Sequence, residues 1–254
     1  MLDHFKHIFL VPMKVADSET LSKIKEIYSK YSKEYGFLIS MQTADEAIFY
    51  KNYFLNKKNV FVIHSEKKLS RTAHWEYVAK KSKEIALFET FSYYFSGDEI
   101  NLENFPLLEK KSSIYINDYF ISSWENIKEN AGHEEDLYSV SIIRKNLSLG
   151  KPLLAPLQKI VFTEEMANEI NFNADYTYVC DQLMIFDFIK KGKKIEIIKS
   201  PFYKLNENKR NHQNTMTITE ILKQQLYLYK HVNCYTGVPM IAIRTLLKYY
   251  IFKK

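Results

Sequence analysis

Four places in the sequence combine residue types that carry chemistry. In YFSGDEINLENF, residues 94–105, Asp98 and Glu99 follow an aromatic run that breaks at Gly97. Adjacent carboxylates on a turn after a buried strand offer oxygen ligands for Mg2+ or Mn2+, hard ions that bridge to phosphate oxygens. The same pair also serves to cap a helix beginning near Leu102. In DYTYVCDQLMIFDFIKKGKKIEII, residues 175–198, Asp181 stands just before a run with Leu183, Met184, Phe186 and Ile189 at helical spacing. A carboxylate there is either the N-cap of that helix or, facing a cleft, a general base whose proton affinity burial can tune. Lys209-Arg210-Asn211-His212 forms a basic stretch suited to wrapping a diphosphate, or a solvated loop. Arg71 with His74, after the third apolar run, is a similar phosphate contact or a solvated helix start.

These groups need a scaffold. HIFLVP (7–12) reads as a strand ended by Pro12, and Ser18 then opens a helix with Leu21, Ile24, Ile27 and Tyr28 inward and Gly36 at its close. FLIS (37–40) and NVFVIHS (59–65) read as a second and third strand around a helix in Ala44 to Leu55. From Thr72, Trp75, Val78, Ala79, Ser82 and Ile85 follow a helical period, and Ala86 to Phe95 is a continuous apolar run, a buried central strand ending at Ser96-Gly97. Alternating strands and helices predict a parallel, doubly wound α/β sheet with right-handed crossovers, binding its ligand at the carboxyl ends of the strands.

Further along, IYINDYFISSW (114–124) predicts one or two strands, Asn126 to Glu135 a mobile polar loop, and TEEMANEI a short helix capped by Thr163 with Glu165 close behind. QLMIFDFIKK is an amphipathic helix, and KKIEIIKSPFYKL is a last strand.

Composition narrows the class. With 46% hydrophobic residues, 17 Phe and 19 Tyr in 254 residues, the chain has enough apolar surface for one sizeable core, which excludes a disordered polymer and favours one α/β domain with a small appendage. Cys180 and Cys234 are the only cysteines and lack metal-ligand spacing, so a disulfide scaffold and a zinc site are not expected and the cytoplasm is the default compartment. No apolar run is long enough to cross a bilayer. The net charge of +6 is read as spread in Lys doublets and triplets, giving affinity for anionic partners without naming one. Nucleic acid is the least suited of these, because the aromatics fall in buried-looking runs rather than alternating with basic residues.

The order of these pieces, Val11-Pro12 after the first strand, an acidic turn near the middle, an isolated acid before QLMIFDFIKKGKKIEII and a basic loop with histidine, resembles glycosyltransferases of the GT-A fold. Most similar is the inverting family 2 type of bacterial surface polysaccharide synthesis, over residues 7 to 215. NFNADYTYVCDQLMIFDFIKKGKKIEIIKSPFYKL carries the resemblance best, with Cys180 where the family has Glu and Asp181 where it has Asp. The family's Asp-x-Asp motif falls on Ser96-Gly97-Asp98, with Glu99 behind it, and its second-strand Asp-Asp on Ser40-Met41, with Asp45 and Glu46 nearby. YYFSGDEI also resembles the Ser-Gly-x-Asp turn of family 14 branching enzymes, which work without a metal in some cases.

The resemblance implies a Rossmann-like GT-A domain at 1–215 with a C-terminal helical extension at 216–254. Asp181 would be the base that deprotonates an acceptor hydroxyl. Val11, Pro12, Asp45, Arg71, Asp98, Glu99, Arg210 and His212 would contact a nucleotide-sugar donor, with Asp98 and His212 as ligands of a divalent cation, Mn2+ or Mg2+. The acceptor would be a glycan or lipid-linked hydroxyl in surface polysaccharide, capsule, lipopolysaccharide or lipooligosaccharide synthesis. A catalytically silent nucleotide- or glycan-binding partner protein is the alternative, motivated by Ser96 and Ser40-Met41. In the tail GVPMIAIRTLLKYYIFKK, Ile241, Ile243, Leu246, Leu247, Tyr250 and Ile251 mix with Arg244, Lys248, Lys253 and Lys254. Such a helix suits peripheral contact with the inner face of an anionic membrane, packing on the catalytic domain, or packing on a second copy in a homo-oligomer.

Overall fold

The computed structural model describes residues 4–14, 18–31, 34–95, 98–105, 108, 112–117, 119–123, 126–129, 139–149, 156–198, 200–204 and 216–252. The basic stretch with Arg210 and His212, the Ser96-Gly97 pair and Gly132-His133 lie outside these residues.

The first half alternates as its periodicity predicts. β1 (His4–Pro12), α1 (Ser18–Tyr31), β2 (Tyr35–Met41), α2 (Ala44–Tyr53), β3 (Val60–His64), α3 (Arg71–Ile85) and β4 (Leu87–Tyr93) follow in turn. β1 lies between β2 and β4 and pairs with both in parallel, and β3 adds to β2 in parallel. Every residue of β2 is buried, the mark of a strand covered on both faces. Side chains alternate across this sheet. Ile8, Leu10 and Leu38 join a core on the face covered by α3, and Phe9, Val11, Phe37 and Ile39 join a second core covered by α1 and α2. Local chemistry starts the helices: the Ser70 hydroxyl accepts from the Ala73 N–H at 3.3 Å and the Thr43 hydroxyl from the Glu46 N–H at 3.4 Å, satisfying end donors that the helix itself leaves unpaired.

The second half departs from simple alternation. After β5 (Glu99–Ile100), β6 (Ile114–Asn117), β7 (Tyr119–Ser123), β8 (Asn126–Glu129) and α4 (Val140–Ser148) come β9 (Ile160–Thr163), α5 (Cys180–Lys190), β10 (Ile195–Ile198), β11 (Tyr203–Lys204), α6 (Ile218–His231) and α7 (Val238–Phe252). The main sheet has the order β10-β6-β9-β4-β1-β2-β3. Only β9 runs antiparallel, inserted between β4 and β6, so the sheet is mostly but not wholly parallel. Its place is held by apolar contact: Phe91 opposes Phe162 in register and their rings stack at 5.2 Å.

Several expectations are corrected. Gly36 lies inside β2 rather than closing α1, and a Cβ there would sit 3.1 Å from the Phe5 ring, so the glycine serves close packing. Asn126–Glu129 is not loop but a strand, paired antiparallel with β7. TEEMANEI forms a 3-10 turn over Glu164–Asn168 without a side-chain cap; the Thr163 hydroxyl donates instead to the Ser113 carbonyl at 3.1 Å, and Glu165 accepts from the Ser113 hydroxyl. KKIEIIKSPFYKL is two strands, β10 in the main sheet and β11 paired with β5. α6 opens with a Thr217–Glu220 capping box. Its Leu228, Tyr229 and Val232 belong to the same core as α3 and α5.

Candidate active site

Topology brings three separated segments to one edge of the sheet. β1 to β4 run in parallel and end together, and α3 starts at that edge with Arg71. β10 is parallel to β6, and β6 to β4 through the antiparallel β9, so α5, which leads back to β10, has its first turn at the same edge. β9 enters from there, preceded by the 3-10 turn Leu157–Lys159.

Asp181 and Arg71, 110 positions apart in sequence, are thereby brought within electrostatic range of each other. Asp181 lies in the first turn of α5, whose N-cap is Val179, not Asp181. Its Oδ1 accepts the Gln182 N–H at 2.8 Å. Burial raises the carboxyl above the ordinary carboxylate range, opposed by the Gln182 N–H, the Arg71 charge and the Leu157 N–H. Leu157 was invisible as a site residue in the sequence: its contribution is a backbone donor at the start of a 3-10 turn. The Arg71 guanidinium lies 4.4 Å over the Trp75 ring, a cation–π contact, and Trp75 packs in turn on Phe95 and Phe172. Cys180, where the resemblance has Glu, is buried and its thiol is pushed up to about 12, chiefly by burial and then by Asp181. It is a neutral neighbour. Tyr178 also faces this carboxylate, with its hydroxyl pKa raised by burial and by Asp181. A cavity of about 230 Å3 lies on another flank of α5, lined by Leu183, Met184 and Asp187 with Asn171, Asn173, Tyr227 and His231.

The acidic turn is built differently from either sequence reading. Asn101, not Asp98 or Glu99, caps the 3-10 turn at Leu102–Asn104. Asp98 is 3% exposed. Its Oδ2 accepts the Tyr203 hydroxyl at 2.5 Å, and its carbonyl accepts the Tyr94 hydroxyl at 2.9 Å and the Lys23 ammonium at 3.4 Å. Burial and the adjacent Asp98 hold the Tyr203 hydroxyl pKa well above its usual value, so this tyrosine remains a donor. Glu99 pairs with Lys204 at 3.0 Å. The pair thus bonds β5 to β11. Among the described residues no group of three or more His, Cys, Asp or Glu is placed to hold a metal ion; His212, the expected second ligand, lies outside them.

The remaining positions are spread along the same edge. Val11 is buried and leaves only its backbone for a ligand, Pro12 ends β1 opposite Ser40 of β2, and Asp45 is exposed in the first turn of α2. Ser40 is bonded to the His74 Nε2 at 2.8 Å, and burial lowers the His74 pKa to about 4. His74 is therefore a neutral core residue and not a phosphate contact beside Arg71.

No family model matches the sequence, and no curated protein does. Solved structures do match. S. aureus TarS residues 1–349 in complex with UDP-GlcNAc aligns over 98% of this chain and 73% of that one, with a TM-score of 0.62 at 13% identity. The mannosyltransferase PcManGT from Pyrobaculum calidifontis, in complex with GDP-Man and Mn2+, aligns over 97% and 75%, with a TM-score of 0.60 at 9% identity. Against the longer S. aureus TarS chain the overlap is 44% of that protein. A mostly parallel seven-stranded sheet with β9 reversed, helices on both faces and neighbours of GT-A type together give this chain a GT-A-like fold.

Proposed function

We propose that the protein is a nucleotide-sugar-dependent glycosyltransferase, with residues 1–215 as the catalytic unit and 216–254 as a helical extension. The observation that carries this reading is Asp181: a carboxylate with raised proton affinity, fixed at a helix start on the edge of a GT-A-like sheet where its parallel strands end, and within electrostatic range of Arg71. The complexes of the fold neighbours with UDP-GlcNAc and with GDP-Man support a nucleotide-sugar donor.

In the proposed reaction an acceptor hydroxyl oxygen attacks the anomeric carbon. A new glycosidic C–O bond forms as the bond to the donor phosphate breaks, and the nucleoside diphosphate leaves with the electron pair. The hydroxyl proton passes to the Asp181 carboxylate. Attack from the face opposite the leaving group inverts the anomeric centre. Arg71 supplies fixed positive charge at the edge where the diphosphate departs, with Arg210 and His212 proposed to close over it. Pro12, the Val11 backbone and Asp45 border the nucleoside side, while Asp98 and Glu99 hold the turn that floors it. The acceptor class we infer is a glycan or lipid-linked hydroxyl of bacterial surface polysaccharide or lipooligosaccharide synthesis, supported by the sequence resemblance.

A second reading, a silent nucleotide- or glycan-binding partner protein, is favoured by Ser40 and Asp98. Both occupy motif positions and both are engaged within the fold, by His74 and Tyr203. A thermal-shift screen of UDP- and GDP-sugars, with and without Mn2+, followed by transfer and hydrolysis assays, separates the two. The transferase reading expects a donor that raises the melting temperature and turns over. It also expects Asp181→Asn to lower turnover by about 100- to 10,000-fold with donor binding retained. Binding without turnover assigns the silent role, and near wild-type turnover in Asp181→Asn removes Asp181 as the base.

A further inference from the structure

The α6–α7 hairpin presents surface that the sheet does not use. The two helices are joined by a 3-10 turn at Tyr235–Gly237, and the Thr245 hydroxyl donates to the Gln225 Oε1 at 2.7 Å. Gln225 and Thr245 are nearly equidistant from the turn, so α7 runs back alongside α6. Val238 and Ile241 pack inward on the main core. Outward stand Met240, Ile243 and Leu247, 51%, 55% and 57% exposed, with Leu246 beside them. Their spacing of three and four residues puts them on one helical face. α6 carries Lys223, Leu226 and Lys230 at the same spacing, all exposed.

Charge says what covers this face. Residues 216–254 contain Lys223, Lys230, Arg244, Lys248, Lys253 and Lys254 against one acid, Glu220. This segment therefore holds five of the chain's net six positive charges, which corrects the reading of that charge as spread along the chain, and the other 215 residues are almost balanced. Glu220 is itself committed to the capping box, accepting from the Thr217 N–H and hydroxyl. A second copy docked face to face would bring two strongly basic segments together, which like-charge repulsion opposes. An anionic surface matches both the charge and the apolar row. Among the described residues no helix is long and apolar enough to cross a membrane, and α7 has 15 residues.

We propose that the α6–α7 hairpin docks the protein on an anionic bilayer, with Met240, Ile243 and Leu247 entering the boundary between headgroups and acyl chains and the lysines of α6 facing lipid phosphates. The proposal is independent of transferase activity. It is tested by sedimenting the full chain with vesicles of phosphatidylcholine alone and of phosphatidylcholine mixed with phosphatidylglycerol. Binding is expected to the mixed vesicles only, and to weaken with added salt. Ile243→Glu with Leu247→Glu, both exposed positions, is expected to reduce binding by about tenfold or more, and Lys223→Gln with Lys230→Gln by about fivefold for each charge removed. Equal binding to both vesicle types, no binding, or unchanged binding in both double variants overturns the proposal. A dimer in solution that the Glu variant dissociates overturns it as well, assigning the face to a second copy.

Discussion

At the residue scale, Asp181 separates function from stability. Its folded-state proton affinity is raised, mainly by burial, so the native state binds a proton before the unfolded chain does as pH falls. Ionised Asp181 thus opposes folding at neutral pH, and the opposition fades as pH drops through its raised pKa. Asp181→Asn, which keeps an oxygen for the Gln182 N–H, is expected to melt at or above the wild-type temperature while losing turnover; calorimetry beside the transfer assay checks both. The base must also be ionised to work. The acid limb of the pH–rate profile is expected above the ordinary carboxylate value, and replacing Arg71 with Gln should move it further up, because the Arg71 charge favours the ionised form. Asp181 was legible in the sequence as an isolated acid before an apolar helical run. Its partners were not: Arg71 lies 110 positions away and Leu157 contributes only a backbone N–H.

At the scale of elements, two contacts tie together parts of the second half that are distant in sequence. Tyr203 of β11 donates to buried Asp98 beside β5. Tyr203→Phe removes a donor from a buried carboxylate and is expected to cost about 1–3 kcal/mol, read as a lower urea midpoint; a much smaller loss in an Asp98→Asn background would show that the two act together. Gly237, in the turn between α6 and α7, abuts α4: a Cβ there would lie 2.2 Å from the Leu147 carbonyl oxygen and 2.6 Å from the Tyr229 ring. Gly237→Ala is expected to destabilise by about 1–3 kcal/mol, with hydrogen exchange accelerating first in α6 and α7. The first-half elements were readable because periodicity and caps are local. β5, β8 and β11 were not, since strands of two to four residues exist only through their partners, and EI, NIKE and YK are too short to carry an alternation of their own.

At the scale of the whole molecule, stability depends on two neutral histidines. His7 is fully buried between the Thr90 and Ser92 hydroxyls, and burial lowers its pKa to about 3; His74 is lowered to about 4. Below pH 6.5 the unfolded chain takes up protons that the native state refuses. Stability is therefore expected to fall with pH from about 6.5 towards 4, by roughly 1.4 kcal/mol per pH unit for each histidine. Asp181 changes in the opposite sense but is a single group. Urea unfolding at pH 7 and pH 4.5 checks this, and a midpoint unchanged between them contradicts it. The amino-acid sequence by itself determined the α/β class, the parallel sense of the first strands, a helix beginning close to Asp181 and the basic, apolar tail, because each follows from short-range pattern; the GT-A-like class was legible only as a family resemblance. Tertiary structure alone decided that β9 runs backwards between β4 and β6, that Asp98 is bound by Tyr203, that His74 turns inward to Ser40, and that the Arg71 charge acts on Asp181. Each of those depends on which distant surfaces bury one another, a choice made by the energy of the assembled core and not by any local run of residues.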